Sequence, residues 1–299
     1  MELHTPRVPH HKITLLGVGL LGGSLGLAIK QRRLAARVEG YVRRDTSIAE
    51  CVQAGAVDRA SRDLLPTVAE ADLVILCTPL GQMRKLTEQM LPALKRGALV
   101  TDVGSVKGEP CRELEPLVAS VGAHFIGSHP MAGAEKTGVA AARADLFVDA
   151  ICVLTPTART PATAVKRLEE FWQGVGARTV RMTPELHDDL AGRSSHLPHV
   201  VAAELANYVL SPVHPKEQAL LCANGFRDTT RIASGSPEMW RDIAMMNRKN
   251  LARVLGVFIE DLQEFQLALE KGDAKVIEEF FDHAKRRRDQ WCGASNSPE

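Results

Sequence analysis

The first feature of this sequence that could support chemistry is a histidine surrounded by small residues. His129 lies in the segment GSHPMAG (127–133), with proline after it and alanine and glycine close by. Small side chains let a ligand approach an imidazole, and imidazole takes up and releases protons near neutral pH. A lone histidine is more often structural, but this setting favours His129 as a general base.

Two further segments carry polar groups that could act on a small substrate. Ser105 lies in DVGSVK (102–107), directly after an apolar run, and is interpreted as a catalytic hydroxyl. Its alternative role is a helix cap. Arg231 ends GFRDTTR (225–231), and a guanidinium presents paired donors that match a carboxylate. Arg231 therefore predicts a substrate with a carboxylate, unless it is a structural arginine that caps a neighbouring helix.

The glycine-rich segment GVGLLG (17–22) indicates a dinucleotide site. It follows the apolar run KITLLG (12–17) and precedes a helical pattern, which is the context that this motif requires. Gly17 permits the tight turn, Gly19 lets the backbone approach a pyrophosphate, and Gly22 lets helix and strand pack closely. The phosphates are expected at the positive end of that helix.

The end of the second strand-like run bears on the choice of dinucleotide. An acid there would hold the ribose 2′-hydroxyl of NAD, but the position is Val42, and Arg43 and Arg44 follow it. Because arginine accommodates a 2′-phosphate, NADP is favoured and NAD stays possible. The alternative is that both arginines are solvated loop charges. The predicted cofactor-binding residues are Gly17, Gly19, Leu20, Leu21, Gly22, Arg43, Arg44, Thr78 and Pro79.

Seven β-type runs alternate with helical patterns over residues 12–182. Several runs are apolar nearly throughout, as expected of parallel strands covered on both faces. The alternation predicts an α/β fold with a Rossmann-type, doubly wound sheet, and it places the segments of Ser105 and His129 after strands, where such sheets bind ligands. The runs are 12–17, 36–42, 71–79, 97–104, 123–130, 149–156 and 177–182.

The pattern changes after Met182, where no convincing strand is found up to about Gln290. Thr183 and Pro184 are a typical helix start, and leucines and valines then recur at helical spacing, with Pro198 expected to kink or interrupt the helix. We predict a dinucleotide-binding domain over 1–182 and an all-helical substrate and dimerisation domain over 183–299. Its later helices are expected at 216–232, 237–270 and 273–291, before a short disordered tail.

Composition and charge narrow the classes of protein. The 299 residues are 45% hydrophobic and 24% charged, which is ordinary for a globular protein with two cores. A net charge of +1 and 4% aromatic residues argue against nucleic-acid binding. No run approaches the roughly 18 apolar residues of a membrane span. Six cysteines without metal-binding spacing indicate reduced thiols in the cytoplasm, and no metal is predicted.

Taken together, five motifs resemble the prephenate/arogenate dehydrogenase family of tyrosine biosynthesis. They are the glycine fingerprint, DVGSVK, GSHPMAG, SHLPH (195–199) and GFRDTTR, and the similarity spans about residues 12–285. The last four motifs, in this order, are more specific than the fingerprint. The resemblance implies a Rossmann domain followed by an all-helical dimerisation domain, and hence a homodimer.

The resemblance also implies a reaction and roles for the site residues. Prephenate would be oxidised and decarboxylated to 4-hydroxyphenylpyruvate, with hydride transfer to NAD(P)+. His129 would take the hydroxyl proton, Ser105 would orient His129 and touch the hydroxyl, and Arg231 would bind a substrate carboxylate. The further substrate-binding residues that the resemblance implies are Ser195, His199, Asp228 and Glu135, the last two forming a polar gate with Arg231.

The sequence departs from the family pattern at two positions, and three alternative functions stay open. Ala134 stands where family members often carry threonine, and Val42 replaces the frequent acid. Arogenate could be the substrate instead of prephenate, because the two differ only in a side-chain keto or amino group. A β-hydroxyacid dehydrogenase also has a Rossmann domain before helices, but usually with a catalytic lysine. A nucleotide sensor without chemistry would not need Ser105, His129 and Arg231.

Overall fold

The structure is a computed structural model that describes residues 9–133 and 136–295. Within those ranges six strands form a parallel sheet, and alternating helices connect most of them. The strands are β1 (His10–Leu16), β2 (Ala35–Tyr41), β3 (Arg59–Ser61), β4 (Leu73–Leu76), β5 (Leu99–Asp102) and β6 (His124–Phe125). The helices among and after them are α1 (Leu20–Gln31), α2 (Asp45–Gln53), α3 (Leu64–Val68), α4 (Leu80–Met90), α5 (Gly108–Ala119) and α6 (Ala162–Val175).

The order of the strands in this sheet is β3-β2-β1-β4-β5-β6. The chain therefore runs outward from β1 in one direction and then returns to continue from β4 in the other. Such a reversal opens a crevice at the carboxyl ends of β1 and β4, where doubly wound sheets bind their ligands. The predicted α/β fold with a doubly wound sheet is confirmed.

Alternate residues of β4 show that the sheet is buried on both faces. Leu73 and Ile75 pack into one hydrophobic core, together with side chains of α1 and α6. Val74 and Leu76 pack into a second core, together with side chains of α4 and α5. Each buried side chain of this size contributes roughly 1.5–3 kcal/mol, so both layers of helices stabilise the sheet. This two-sided burial explains why the strand is apolar throughout.

The structure corrects the strand assignment around His129. The single run expected over 123–130 is two strands, β6 and β7 (Gly127–Pro130), and β7 belongs to a second sheet with β8 (Ile151–Thr155) and β9 (Arg178–Arg181). β7 is antiparallel to β8, and β8 is parallel to β9. His129 thus lies within a strand and not in a loop after one. Strand partners depend on tertiary contacts, so an apolar run could not reveal this split.

β3 was not predicted from the sequence. Its three residues, Arg59–Ser61, include no large apolar side chain, and only parallel pairing with β2 makes them a strand. Periodicity needs a longer run than this to give a signal.

The helices after β9 begin where the sequence predicts. α7 (Pro184–Ala191) starts at Thr183, whose Oγ1 accepts a hydrogen bond from the backbone N–H of Leu186 at 3.2 Å. α7 is followed by a π-helical turn, Gly192–His196, and by α8 (Leu197–Val209), which carries Pro198 in its first turn. Because proline has no N–H to donate to the preceding turn, the wider π-helical turn stands directly before it. Pro198 interrupts the helix as predicted.

Two of the three later predicted helices are each divided into shorter helices. The stretch expected as one helix over 216–232 is α9 (Glu217–Leu220) and α10 (Asn224–Thr230), followed by a 3-10 turn at Arg231–Ser234. The stretch expected over 237–270 divides at Asn247 into α11 (Pro237–Met246) and α12 (Arg248–Lys271). No strand occurs among the described residues after β9. The chain forms two compact units, Met1–Arg248 and Lys249–Glu299. The division at residue 182 stays a prediction.

The second unit is a helical hairpin. α12 and α13 (Ala274–Ser295) meet at a turn containing Gly272, whose φ of +66° favours glycine. Phe265 on α12 contacts Phe280 and Phe281 on α13, with ring centroids 4.6 and 5.8 Å away. α13 continues to Ser295, so the disordered tail expected after Trp291 is wrong for residues 292–295. None of the helices in the described part of the chain is both long and apolar enough to span a membrane.

Candidate active site

The glycine turn between β1 and α1 is shaped by close packing on one side and open space on the other. Gly17 has a φ of +96°, and a Cβ added there would lie 2.8 Å from the carbonyl oxygen of Cys77. A Cβ on Gly22 would lie 2.0 Å from the carbonyl oxygen of Gly17. A Cβ added to Gly19, the residue before α1, would meet no described atom within 4 Å apart from its chain neighbours. Gly17 and Gly22 therefore allow the turn, and Gly19 leaves space for a ligand at the helix N-terminus.

The residues beside this turn offer polar groups to such a ligand. Thr78 follows β4, and its Oγ1 is buried with no hydrogen-bond partner among the described residues. Its Cγ2 would lie 3.2 Å from a Cβ on Gly17, so Thr78 borders the glycine turn. Pro79 caps α4 on the same edge, and Leu20 and Leu21 form the half-buried first turn of α1. An unpaired hydroxyl next to open space fits a bound dinucleotide.

The loop after β2 carries the residues that bear on the choice of dinucleotide. Val42 is buried, and its backbone N–H donates to the carbonyl of Ser61. Arg43 and Arg44 are exposed, and Arg44 Nε donates to Ser47 Oγ at 3.3 Å. Asp45 forms an ion pair with Arg62. The loop therefore presents two exposed guanidinium groups and no acid at the position of Val42.

A buried polar network ties the end of β5 to β7. Lys107 Nζ, fully buried, pairs with the Asp102 carboxylate and donates to the carbonyl of Ser128 at 2.8 Å. Ser128 donates to Asp102 through its backbone N–H, at 3.2 Å from Oδ1, and through its hydroxyl, at 2.6 Å from the backbone carbonyl. Each buried charge thus has an opposite charge and hydrogen bonds, which such burial requires. The network fixes the strand that carries His129.

His129 is buried, with 6% of its surface exposed. Burial first, and then electrostatic interaction with His187, Lys107 and His196, lower the pKa of His129 well below that of an ordinary histidine. The neutral imidazole is therefore favoured at neutral pH. This is the form that can act as a general base.

The hydrogen-bond partner of His129 is a residue that the sequence analysis did not single out. His129 Nδ1 lies 2.8 Å from His187 Nε2, and His187 Nδ1 lies 2.8 Å from Asp188 Oδ1. Ser105, expected to orient His129, forms no side-chain hydrogen bond with it among the described residues. The backbone of Ser105 lies next to His196. Burial lowers the pKa of His196 to about 4, although the Ser105 backbone and the Asp188 carboxylate act to raise it. Ser105 lies half-buried in the segment between β5 and α5, in the same part of the structure.

Asn247 connects this group to α11. Its Nδ2 donates to the backbone carbonyl of Asp188 at 2.8 Å and lies 3.0 Å from His196 Nδ1. The only sequence signal for this group is the pair His187-Asp188 on a predicted helix, which resembles any polar pair on a helix surface. Lys107 and His196 stand inside the motifs that the sequence analysis quoted, but without a role.

The π-helical turn and α8 bring Ser195 and His199 together. His199 Nδ1 donates to the backbone carbonyl of Ser195 at 2.9 Å, and the imidazole stacks on Trp240 of α11 at 3.7 Å between ring centroids. Burial first, and then the charge of Arg231, lower the pKa of His199. Arg231 thus lies near His199, as the 3-10 turn that it begins packs against α8.

The remaining predicted residues have the following places. Asp228 lies exposed on α10, one turn before Arg231, which is also exposed. Glu135 lies outside the described residues, so the predicted polar gate between Glu135, Asp228 and Arg231 is not described. His199 and Arg231 form one group, and His129 lies in another with His187 and Asp188.

The fold and site together define a class of protein. A doubly wound sheet with an open glycine turn at its crevice binds a dinucleotide, and a buried neutral histidine next to the same sheet can take a proton. These are the parts of a dinucleotide-dependent oxidoreductase.

Comparison with known families identifies the group within this class. Residues 25–181 match the family model of the prephenate dehydrogenase nucleotide-binding domain, and residues 183–285 match that of the prephenate dehydrogenase dimerization domain. The chain belongs to the prephenate dehydrogenase family.

Individual relatives agree with this membership. The chain is 36% identical to a prephenate dehydrogenase of Bacillus subtilis, over 93% of this chain and 75% of the relative. It is 34% identical to a cyclohexadienyl dehydrogenase of Zymomonas mobilis, over 92% of this chain and 94% of the relative.

Two solved structures are also similar. One is a prephenate dehydrogenase from Aquifex aeolicus in complex with hydroxyphenyl propionate and NAD+, with a TM-score of 0.87 and 31% identity, over 94% of this chain and 98% of the other. The other is an arogenate dehydrogenase of Synechocystis, with a TM-score of 0.79 and 30% identity, over 94% of this chain and 99% of the other.

Proposed function

We propose that this protein is a prephenate dehydrogenase of tyrosine biosynthesis. It oxidises and decarboxylates prephenate to 4-hydroxyphenylpyruvate and CO2. The observation that carries the proposal is the buried, neutral imidazole of His129 in a chain of the prephenate dehydrogenase family. A relative named for prephenate, at 36% identity, supports this substrate.

The roles of the residues follow from their chemistry. His129 accepts the proton of the ring hydroxyl as the hydroxyl-bearing carbon loses hydride. The ring carboxylate leaves as CO2, and its bonding electrons make the ring aromatic, which supplies much of the driving force. The proton held on His129 is available to the phenol oxygen of the product. Ser105 touches the hydroxyl, and Arg231 binds a substrate carboxylate.

Other residues line the substrate pocket in this proposal. Ser195 and His199 contribute from the π-helical turn and α8, and the stacked Trp240 holds the His199 ring in one orientation. Asp228 and Glu135 act with Arg231 as a polar gate. A pocket built this way excludes water from the reacting ring, which strengthens the hydrogen bond to His129.

The glycine turn holds the cofactor in this proposal. Gly17, Gly19 and Gly22 shape the turn, and the first residues of α1 and the unpaired hydroxyl of Thr78 border the open space. When bound, the nicotinamide accepts the hydride from the substrate. The pattern of a packed turn with an open Gly19 fits a pyrophosphate at the helix N-terminus.

NADP is the favoured cofactor, and NAD is possible. Val42 offers no carboxylate for a ribose 2′-hydroxyl, and the exposed Arg43 and Arg44 supply charge for a 2′-phosphate.

Steady-state kinetics with each cofactor test this preference for NADP directly. Removal of both guanidinium groups in the Arg43→Ala, Arg44→Ala double variant should weaken NADP by roughly 1–3 kcal/mol per lost hydrogen bond and leave NAD nearly unchanged. Arg112→Ala, on α5, is the control. Wild-type protein that prefers NAD at equal concentrations contradicts the NADP preference.

The protein acts as a homodimer formed through its helical domain. The matched dimerization family model and exposed apolar side chains on α12 and α13, including Leu269 and Phe281, support this. A cytoplasmic location agrees with six free cysteines.

Arogenate is the second candidate substrate, because the similar Synechocystis structure is an arogenate dehydrogenase. One assay separates the candidates. Purified protein is mixed with prephenate or arogenate and with NADP+ or NAD+, and cofactor reduction is followed by absorbance. The proposal expects a higher kcat/KM with prephenate. A higher kcat/KM with arogenate reverses the assignment, and no reduction with either substrate rejects the proposed function.

A further inference from the structure

A buried chain of three side chains connects His129 to the N-terminus of a helix. His129 on β7 contacts His187 on α7, and His187 contacts Asp188 next to it, each at 2.8 Å. The three residues are 6%, 3% and 5% exposed. Residues 58 positions apart therefore form one continuous hydrogen-bonded chain.

The carboxylate at the end of this chain is held by donors only. Asp188 Oδ1 accepts from the backbone N–H of Lys107 at 2.7 Å, and Oδ2 accepts from that of Gly108 at 2.8 Å. These are free amides at the N-terminus of α5, where a negative charge is favoured. A Cβ on Gly108 would lie 2.8 Å from Oδ2, so a glycine there allows the approach. Both carboxylate oxygens of Asp188 thus act as acceptors.

Because the Asp188 carboxylate at one end only accepts, it fixes which atom donates in each hydrogen bond of the chain. Facing a carboxylate, His187 must carry its hydrogen on Nδ1 and donate it. The Nε2 of a neutral His187 then has a lone pair and accepts from His129 Nδ1–H. His129 is left with an unprotonated Nε2. The Ser-His-Asp triad uses the same logic, in which the aspartate selects the histidine tautomer.

We propose that His187 and Asp188 are positioning residues that hold His129 as its Nδ1–H tautomer and leave Nε2 as the proton acceptor. This inference deepens the proposed function, since it explains how the base of that reaction is kept ready. When His129 takes a proton, the positive charge is stabilised through His187 by the Asp188 carboxylate.

Groups on other elements face His129 as well. Lys107 after β5 is paired with Asp102, and His196 comes from the π-helical turn. Cys152 on β8 is held as a neutral thiol, because burial raises its pKa well above the ordinary value. Of the acidic groups around His129, Asp102 is paired with Lys107, whereas Asp188 acts through His187. The pH profile of the base therefore depends on the His187 contact.

Two substitutions at position 187 test the proposal. His187→Leu removes the acceptor for His129 Nδ1–H. His187→Gln can keep it, because the glutamine carbonyl oxygen takes the place of Nε2 as an acceptor. His10→Leu removes another buried histidine, at the start of β1 in the interior of the parallel sheet, and controls for the loss of a buried imidazole.

The first readout is kinetic. We expect kcat of His187→Leu to fall roughly ten- to a hundredfold, with KM for prephenate within about threefold, since the tautomer affects the chemical step and not substrate contacts. His187→Gln should recover much of kcat. The acid limb of the pH profile should shift in His187→Leu and stay in place in His10→Leu.

The second readout does not depend on activity. Nitrogen-15 NMR of histidine-labelled protein at neutral pH distinguishes protonated from unprotonated ring nitrogens, and His129→Asn identifies the His129 signals. We expect His129 to be protonated at Nδ1 only in the wild type and to be a mixture of tautomers in His187→Leu. A failed assay with prephenate and arogenate would reject the function and leave this measurement intact.

A purely structural role for the chain predicts different results. In that case His187→Leu lowers the melting temperature as His10→Leu does, while kcat, the pH profile and the His129 tautomer stay as in the wild type. That outcome, or a wild-type His129 protonated at Nε2, overturns the proposal.

Discussion

His129 shows how the environment of one residue prepares it for chemistry. Burial first, and then electrostatic interaction with His187, Lys107 and His196, lower its pKa, so the unprotonated, basic form persists as pH falls through about 6.5, where an ordinary histidine is half-protonated. The basic form is lost only when pH falls through the lower pKa of the folded protein. We therefore expect kcat/KM to begin its acidic decline below pH about 6.5, measured as a pH profile with prephenate.

Removal of the base gives the companion result. His129→Asn should lower kcat by roughly 10²–10⁴, the usual contribution of a general base, and leave cofactor affinity in place. His10→Asn, at the start of β1 in the interior of the parallel sheet, is the matched control and should retain kcat. A nearly normal kcat in His129→Asn would exclude His129 from the mechanism.

Arg231 is the residue that tests the class of substrate. Arg231→Leu removes a bidentate donor, and loss of hydrogen bonds between charged groups costs roughly 1.5–3 kcal/mol. The loss should appear mainly as a raised KM for prephenate, because the carboxylate is bound in ground and transition states alike. Arg231→Lys should recover only part, since ammonium lacks the planar pair of donors.

The control for Arg231 is one turn away on the same helical segment. Arg227→Leu, at an exposed position of α10, should leave KM unchanged. A structural cap would behave differently, because Arg231→Leu would then lower the melting temperature while the folded fraction kept a normal KM. Measurement of KM and melting temperature on one preparation separates the two roles.

At the scale of elements, α7 carries both residues that position His129. Its first turn depends on Thr183, whose Oγ1 accepts from the Leu186 N–H. Loss of such a cap costs about 1 kcal/mol, which corresponds to a melting temperature lower by roughly 1–2 °C in a protein of this size. We expect this decrease for Thr183→Ala in a calorimetric scan. Thr183→Ser keeps the hydroxyl and should melt near the wild type; an equal decrease would show that the hydroxyl does not cap α7.

The packing of β7 against β5 matters at the same scale. The buried Lys107–Asp102 pair and the Ser128 hydrogen bonds hold β7 beside β5. β7 is the short strand that begins the second sheet, antiparallel to β8. His129 therefore lies on a strand that is held on one side by β5 and on the other by β8. This suits a residue that must keep one orientation.

At the scale of the whole molecule, the assembly is the main prediction. Exposed apolar side chains on α12 and α13 need a partner surface, and a symmetric dimer supplies one. Light scattering of the purified protein should give twice the chain mass of 32.5 kDa. A stable, active species at the mass of one chain would contradict the dimer.

The sequence by itself determined the features that depend on neighbouring residues. The glycine turn, the Thr183 cap and the interruption at Pro198 follow from backbone conformations that nearby residues impose. The alternation of apolar runs and helical patterns was enough for the doubly wound sheet, because burial on both faces leaves each strand apolar nearly throughout. His129 stood out because small residues surround it.

Only the tertiary structure decided which distant groups meet. The antiparallel pairing of β7 and the contact of His129 with His187 join segments far apart in the chain, and periodicity carries no record of such partners. In the sequence, Asp188 resembles an ordinary polar residue of a helix. Only the fold brings the N-terminal amides of α5 to its carboxylate. The state of the candidate base is therefore set by three-dimensional contacts, since burial and long-range hydrogen bonds control both its pKa and its tautomer.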